Sequence, residues 1–222
     1  MTTVDRDVAA ESTSARAPLP AVLLTIAAAF ALWCVMFYLR AGDFWWSMTG
    51  AAGGLAVVSL VLNRGNLGPL FSWRASWIVW GLCSAAALYL VFWVGDFFAR
   101  QFFAFAPEQI GGIYGLRAGE SPLKIGLLLF FVIGPAEEIY WRGFLQNSLQ
   151  KRLSTPLAGW LAAGLIYAFV HIWAFNFILL MAALLCGLFW GLLFYLTRNL
   201  WPGIISHAVW DVFVFLILPI GR

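Results

Sequence analysis

Residues 124–149 read KIGLLLFFVIGPAEEIYWRGFLQNSL, a run long enough to cross a bilayer as one helix, yet Glu137, Glu138 and Arg142 sit inside it. Insertion scales charge about 2.5–3.5 kcal/mol for a single carboxylate at membrane mid-depth. Three such groups within six residues call for partners and a use.

Outside that stretch the same apolar character continues. Of 222 residues, 63% are hydrophobic and only 10% charged, against about 25% charged in an average soluble domain. Composition therefore points to an all-α, polytopic transmembrane bundle and excludes a soluble core. Thirteen tryptophans suit the membrane–water boundary. The net charge of +3 is scattered along the chain and gives no nucleic-acid footprint. Cys34, Cys83 and Cys186 all lie in apolar runs with no Cys-x-x-Cys pair, which argues against a disulfide framework or a thiolate metal site.

Taken in order, the chain starts with a polar segment, 1–17, expected to be disordered and not a cleavable signal peptide. Residues 18–222 form a single membrane domain. Seven spans are expected: 20–39, 44–62, 77–98, 124–149, 156–173, 177–196 and 201–218. Small residues Gly50 to Gly54 in the second span allow a close helix approach. Residues 100–124, aromatic and then rich in Gly and Pro, read as an interfacial segment or a lid-like loop. With seven spans, seven Lys or Arg fall on the N-terminal side and five on the other, placing the N-terminus in the cytoplasm.

The intramembrane polar residues are few. His171 and His207 are the only histidines, and both fall inside spans, as does Asp211. A single histidine in an apolar helix is usually a packing residue. Two at depth, together with three carboxylates, argue for chemistry. Glu138 and Arg142 are four apart and share a helix face, so they form an architectural ion pair. Glu137 is turned about 100° away and faces the reacting centre. Tyr167 and His171 are also four apart, letting the phenol orient the imidazole, and so are His207 and Asp211. At 1.5 Å per residue, Glu137 lies about 18 Å and His171 about 22 Å from span ends on one membrane side, with His207 about 9 Å deep from that side. They can converge on one cavity, and Gly134-Pro135 invites a kink that opens it.

Peptide hydrolysis suits this set. A carboxylate in a low-dielectric site can act as general base toward water, and an imidazole can protonate the leaving amine or stabilise an oxyanion. Zinc held by Glu137, His171 and His207 is the alternative. His-Glu-x-x-His, Gly-x-Ser-x-Gly and Gly-x-Gly-Asp are all absent, which removes the corresponding zinc, serine and aspartate proteases.

Glu137-Glu138-x-x-x-Arg142, Tyr167-x-x-x-His171 and His207-x-x-x-Asp211 resemble, in order, the three motifs of the CPBP (CAAX protease and bacteriocin-processing, or Abi) family, which includes the Ras-converting CAAX endopeptidases. The resemblance covers 123–218, and Trp141-Arg142-Gly143-Phe144-Leu145 also looks like the family. It implies that Glu137 with His171 activates water and that His207 with Asp211 stabilises the tetrahedral intermediate. Glu138 and Arg142 would hold the site, without a metal. The family usually has Phe at position 167, and the CAAX endopeptidases have Asn at position 211. The expected function is an intramembrane endopeptidase of a bacterial inner membrane, acting on a membrane-associated or C-terminal-tail peptide. The competing readings are a non-catalytic scaffold or immunity protein of the same fold and a small proton-coupled transporter.

Overall fold

A computed structural model describes residues 17–64 and 67–221. Among these residues the structure is helical, with no strand. Helix α1 is Leu19–Trp33, continued by a π-helical turn Cys34–Tyr38. Helix α2 is Phe44–Asn63, α3 Ser76–Phe102 and α4 Ala106–Gly115. Helix α5 runs unbroken over 122–150. Helix α6 is Pro156–Val170, extended by a 3-10 turn His171–Ala174. Helix α7 is Phe177–Thr197, and α8 is Trp201–Val212 with a π-helical turn Phe213–Ile217. The tail expected over 1–17 lies outside the described residues apart from Ala17, which is buried and accepts a hydrogen bond from Arg152.

Helix starts follow the local sequence. Asp43 accepts from the Trp46 N–H, Thr155 from Ala158 and Asn176 from Leu179, each satisfying a donor that the first turn leaves free. Pro156 and Pro122 occupy first-turn positions, where a missing N–H costs nothing. The short turn Phe175-Asn176 between α6 and α7 places Phe175 in the left-handed region at φ 48°.

Among the described residues, five helices are long and apolar enough to cross a membrane: Leu19–Tyr38, Phe44–Asn63, Ser76–Phe102, Pro156–Ala174 and Phe177–Thr197. The chain is an integral membrane protein. The count of seven is not reproduced on that criterion, for two reasons. Trp201–Ile217 is apolar but shorter than those five. Helix α5 spends its second half on buried polar side chains, among them Glu137, Glu138, Arg142, Gln146 and Asn147, which face other helices and not lipid. Outward faces are apolar: Leu24 is 70% and Phe131 67% exposed.

Helix α5 is the hub, in contact with α2, α6, α7 and α8. On α2 the close approach is made by Ala52 and Ala56 against Ala136, while Gly50, Gly53 and Gly54 face open space. Gly134-Pro135 does not break α5. Two π-helical segments, Leu129–Ile133 and Ile139–Gln146, flank the five residues that carry the glutamates, so the interruption is absorbed as local unwinding. Residues 100–124 are not a loop. Helix α4 occupies 106–115 of them and is fastened to α7, because Asn176 donates to the Gln109 carbonyl and the Gln109 side chain accepts from the Ile178 N–H.

Candidate active site

The two adjacent glutamates of α5 point to different neighbours, as their 100° offset requires. Glu138 turns toward α8. Its Oε1 accepts from Arg142 Nη1 at 2.9 Å and from His207 Nδ1 at 2.8 Å. Arg142 donates its other nitrogen to the Cys186 and Gly187 carbonyls of α7 and lies over the rings of Tyr167 and Trp190. A buried guanidinium with a carboxylate, two carbonyls and two ring faces is paired on every side, which is what allows it inside a bilayer.

Glu137 turns toward α6. Its Oε2 accepts from the Tyr167 hydroxyl at 3.0 Å and lies 3.8 Å from His207 Nε2. Its Oε1 is buried without a hydrogen-bond partner among the described residues. Asp211 Oδ2 is 3.5 Å from the same His207 nitrogen. Because Oε1 of Glu138 can only accept, His207 Nδ1 donates there. Nε2 then faces two carboxyl groups. The imidazole is clamped flat on Trp190, ring centres 3.7 Å apart at 17°, and Trp190 is fixed by donating to Ser206.

His171 stands one helical turn beyond Tyr167. Its Nδ1 donates to the Tyr167 carbonyl at 2.8 Å, and its Nε2 accepts from Trp33 Nε1 at 3.3 Å. Among the described residues no hydrogen bond runs directly from Glu137 to His171. Tyr167 joins them, bonding Glu137 through its hydroxyl and His171 through its backbone.

Glu137, Tyr167, His171, His207 and Asp211 all line one cavity of about 460 Å³, within the range of small-molecule sites. Away from these groups its wall is mostly apolar and aromatic, with Phe37, Phe92, Phe98 and Phe177 and one further carboxylate, Asp96, and α4 covers one side with Ile110, Ile113 and Tyr114.

The structure thus brings together helices that are far apart in sequence and redistributes three expected roles. The phenol of Tyr167 orients Glu137, and it is the backbone carbonyl of Tyr167 that orients His171. Glu138 is not confined to its pair with Arg142; it also holds His207, at a shorter distance than Asp211 does. The Trp33 and Trp190 contacts were not legible in the sequence. Both residues are tryptophans in apolar spans, indistinguishable there from ten others.

Residues 119–213 match the family model of Rce1-like proteins, described as type II CAAX prenyl endopeptidase Rce1-like. The matched segment contains every residue of the three motifs and agrees with the family they resemble. No curated protein and no solved structure matches the chain.

Proposed function

We propose, on the premise of that family match, that the chain is an intramembrane endopeptidase that hydrolyses a peptide bond in a membrane-associated or C-terminal-tail substrate. The observation that carries this reading is the state of Glu137. It is a buried carboxylate held at one oxygen by Tyr167, with the other oxygen unpartnered, at the polar end of an otherwise apolar cavity.

In this reading Glu137 Oε1 takes a proton from a water as its oxygen attacks the substrate carbonyl carbon. The carbonyl oxygen becomes an oxyanion and receives a hydrogen bond from His207 Nε2–H, fixed in place by Glu138, Trp190 and Asp211. The C–N bond then breaks, and the proton on Glu137 passes to the leaving amine. His171 supports Glu137 through Tyr167. The apolar wall suits a substrate tail that is itself membrane-borne. In the seven-span reading the N-terminus lies in the cytoplasm of a bacterial cell, the membrane being the inner one, in keeping with the excess of Lys and Arg that this topology puts on that side.

We read the site without zinc, the alternative ligands being Glu137, His171 and His207. What supports this is that His171 Nε2 already accepts from Trp33, a bond zinc would have to displace, while His207 keeps Nε2 open with Nδ1 donating to Glu138. The mechanism therefore routes no step through a metal.

The test is cleavage of a lipid-tethered tail peptide by purified chain in liposomes, with products identified by mass spectrometry. Glu137→Ala and His207→Ala are each expected to lower the rate by about a hundredfold or more. Parental rates in both variants would sink the assignment.

A further inference from the structure

Helix α8 ends at Ile217, and the chain then leaves helical geometry as a short strap, 218–221, with Leu218 at φ −131° and Gly221 at φ 81°. Three polar side chains from α3 and α4 hold successive backbone groups of this strap. Tyr89 donates to the Leu218 carbonyl at 3.2 Å, the Tyr114 hydroxyl accepts from the Ile220 N–H at 2.8 Å, and Arg100 donates to the Gly221 carbonyl at 2.6 Å. Arg100 is itself aimed by Asp96, whose two oxygens accept from its Nε at 2.9 and 3.0 Å. A Cβ at Gly221 would run into Arg100 and Asp96, so this approach needs glycine.

Between those anchors Ile220 turns inward. It is 6% exposed, packs in one cluster with Tyr114, Trp210 and Val214, and lines the same cavity as Glu137 and His207. Backbone groups read by fixed donors and acceptors, with one apolar side chain dropped into a pocket, is how proteins bind an extended peptide.

We infer that Tyr89, Tyr114 and Arg100 form a peptide-backbone subsite of the cavity, and that the strap occupies it as an intramolecular competitor of the substrate. The ligand is an extended peptide tail that places a branched aliphatic side chain where Ile220 sits. The identity of that ligand as substrate rests on the endopeptidase reading; the occupancy of the subsite by the strap does not. A strap docked nine-tenths of the time raises the apparent dissociation constant of a competing tail about tenfold.

The experiment uses the full chain in detergent, with Cys34, Cys83 and Cys186 replaced by alanine, Glu137→Ala to prevent hydrolysis, and Ile220→Cys as a reporter. Maleimide labelling of position 220 is measured alone, with a lipidated peptide ending Leu-Pro-Ile-Gly, and with the same peptide carrying Asp in place of Ile. Labelling that is slow alone and accelerated about tenfold by the first peptide only supports displacement of the strap. Labelling that is fast from the outset, unchanged by peptide, or accelerated equally by both peptides overturns it. In the otherwise parental chain, Ile220→Ser is expected to lower the KM of a cleaved tail peptide several-fold with kcat unchanged; an unchanged or higher KM counts against the proposal. If no variant cleaves any tail peptide, the endopeptidase reading fails and the labelling result still decides the strap.

Discussion

Gly203 in the first turn of α8 is the position where the smallest perturbation reaches the site. A Cβ there would lie 2.6 Å from Glu138 Oε2 and 3.4 Å from its Cδ. Contact at 2.6 Å has to be relieved, and Glu138 has little freedom to retreat, because its other oxygen is held by Arg142 at 2.9 Å and His207 at 2.8 Å. Overpacking of this kind costs about 1–3 kcal/mol. Losing the bond to His207 adds about 1.5–3 kcal/mol if the carboxylate swings away. The gain in helix propensity from Gly to Ala offsets at most about 1 kcal/mol. With that bond lost, the net effect of Gly203→Ala is therefore a loss of about 1.5–5 kcal/mol. For a chain of this length that is about 2–4 °C of Tm per kcal/mol. The matched control is Gly53→Ala on α2, where a Cβ meets nothing within 4 Å and helix propensity alone operates. Thermal unfolding of both variants in one detergent, followed by tail-peptide cleavage, gives the comparison. Gly53→Ala should equal or exceed the parent in Tm. Gly203→Ala should fall below it and lose activity, since His207 loses the group that fixes its Nδ1. A Gly203→Ala chain as stable and as active as the control would refute the close packing of α8 on Glu138.

Tyr167→Phe removes the one hydrogen bond to Glu137 Oε2 without changing the ring, and is expected to lower kcat about tenfold, the equivalent of about 1.4 kcal/mol, while Tm holds. A parental kcat would show that the phenol does not position Glu137. Arg142→Gln strips the partner from a buried carboxylate and should destabilise the chain by about 3–5 kcal/mol, read as poor yield or early unfolding in detergent. A well-folded Arg142→Gln chain would contradict the structural role of the pair. Dialysis against a strong zinc chelator should leave cleavage unchanged. Loss of activity restored by added zinc would overturn the metal-free mechanism.

The sequence by itself determined the fold class, the position of most long helices and the list of chemical groups. Length and apolar runs fix where helices start and stop, because the cost of unpaired backbone in lipid leaves few alternatives. The expected spans at 44–62, 156–173 and 177–196 accordingly match the observed helices within a few residues. Spacing on one helix was equally legible: Glu138 and Arg142, four apart, do form an ion pair, because a helical turn fixes their separation before any tertiary contact exists. What only the tertiary structure decided is which groups meet between helices. His207 could have been assigned to Asp211 from spacing alone, yet it lies nearer Glu138, because α8 packs against α5 where Gly203 leaves room for that carboxylate. Helix α1 shares no motif with the other helices in sequence, yet its Trp33 reaches His171. The stretch at 134–142 announced that buried charge needed partners; helix packing chose them, since contacts between helices depend on rotation and approach that no single-helix periodicity encodes.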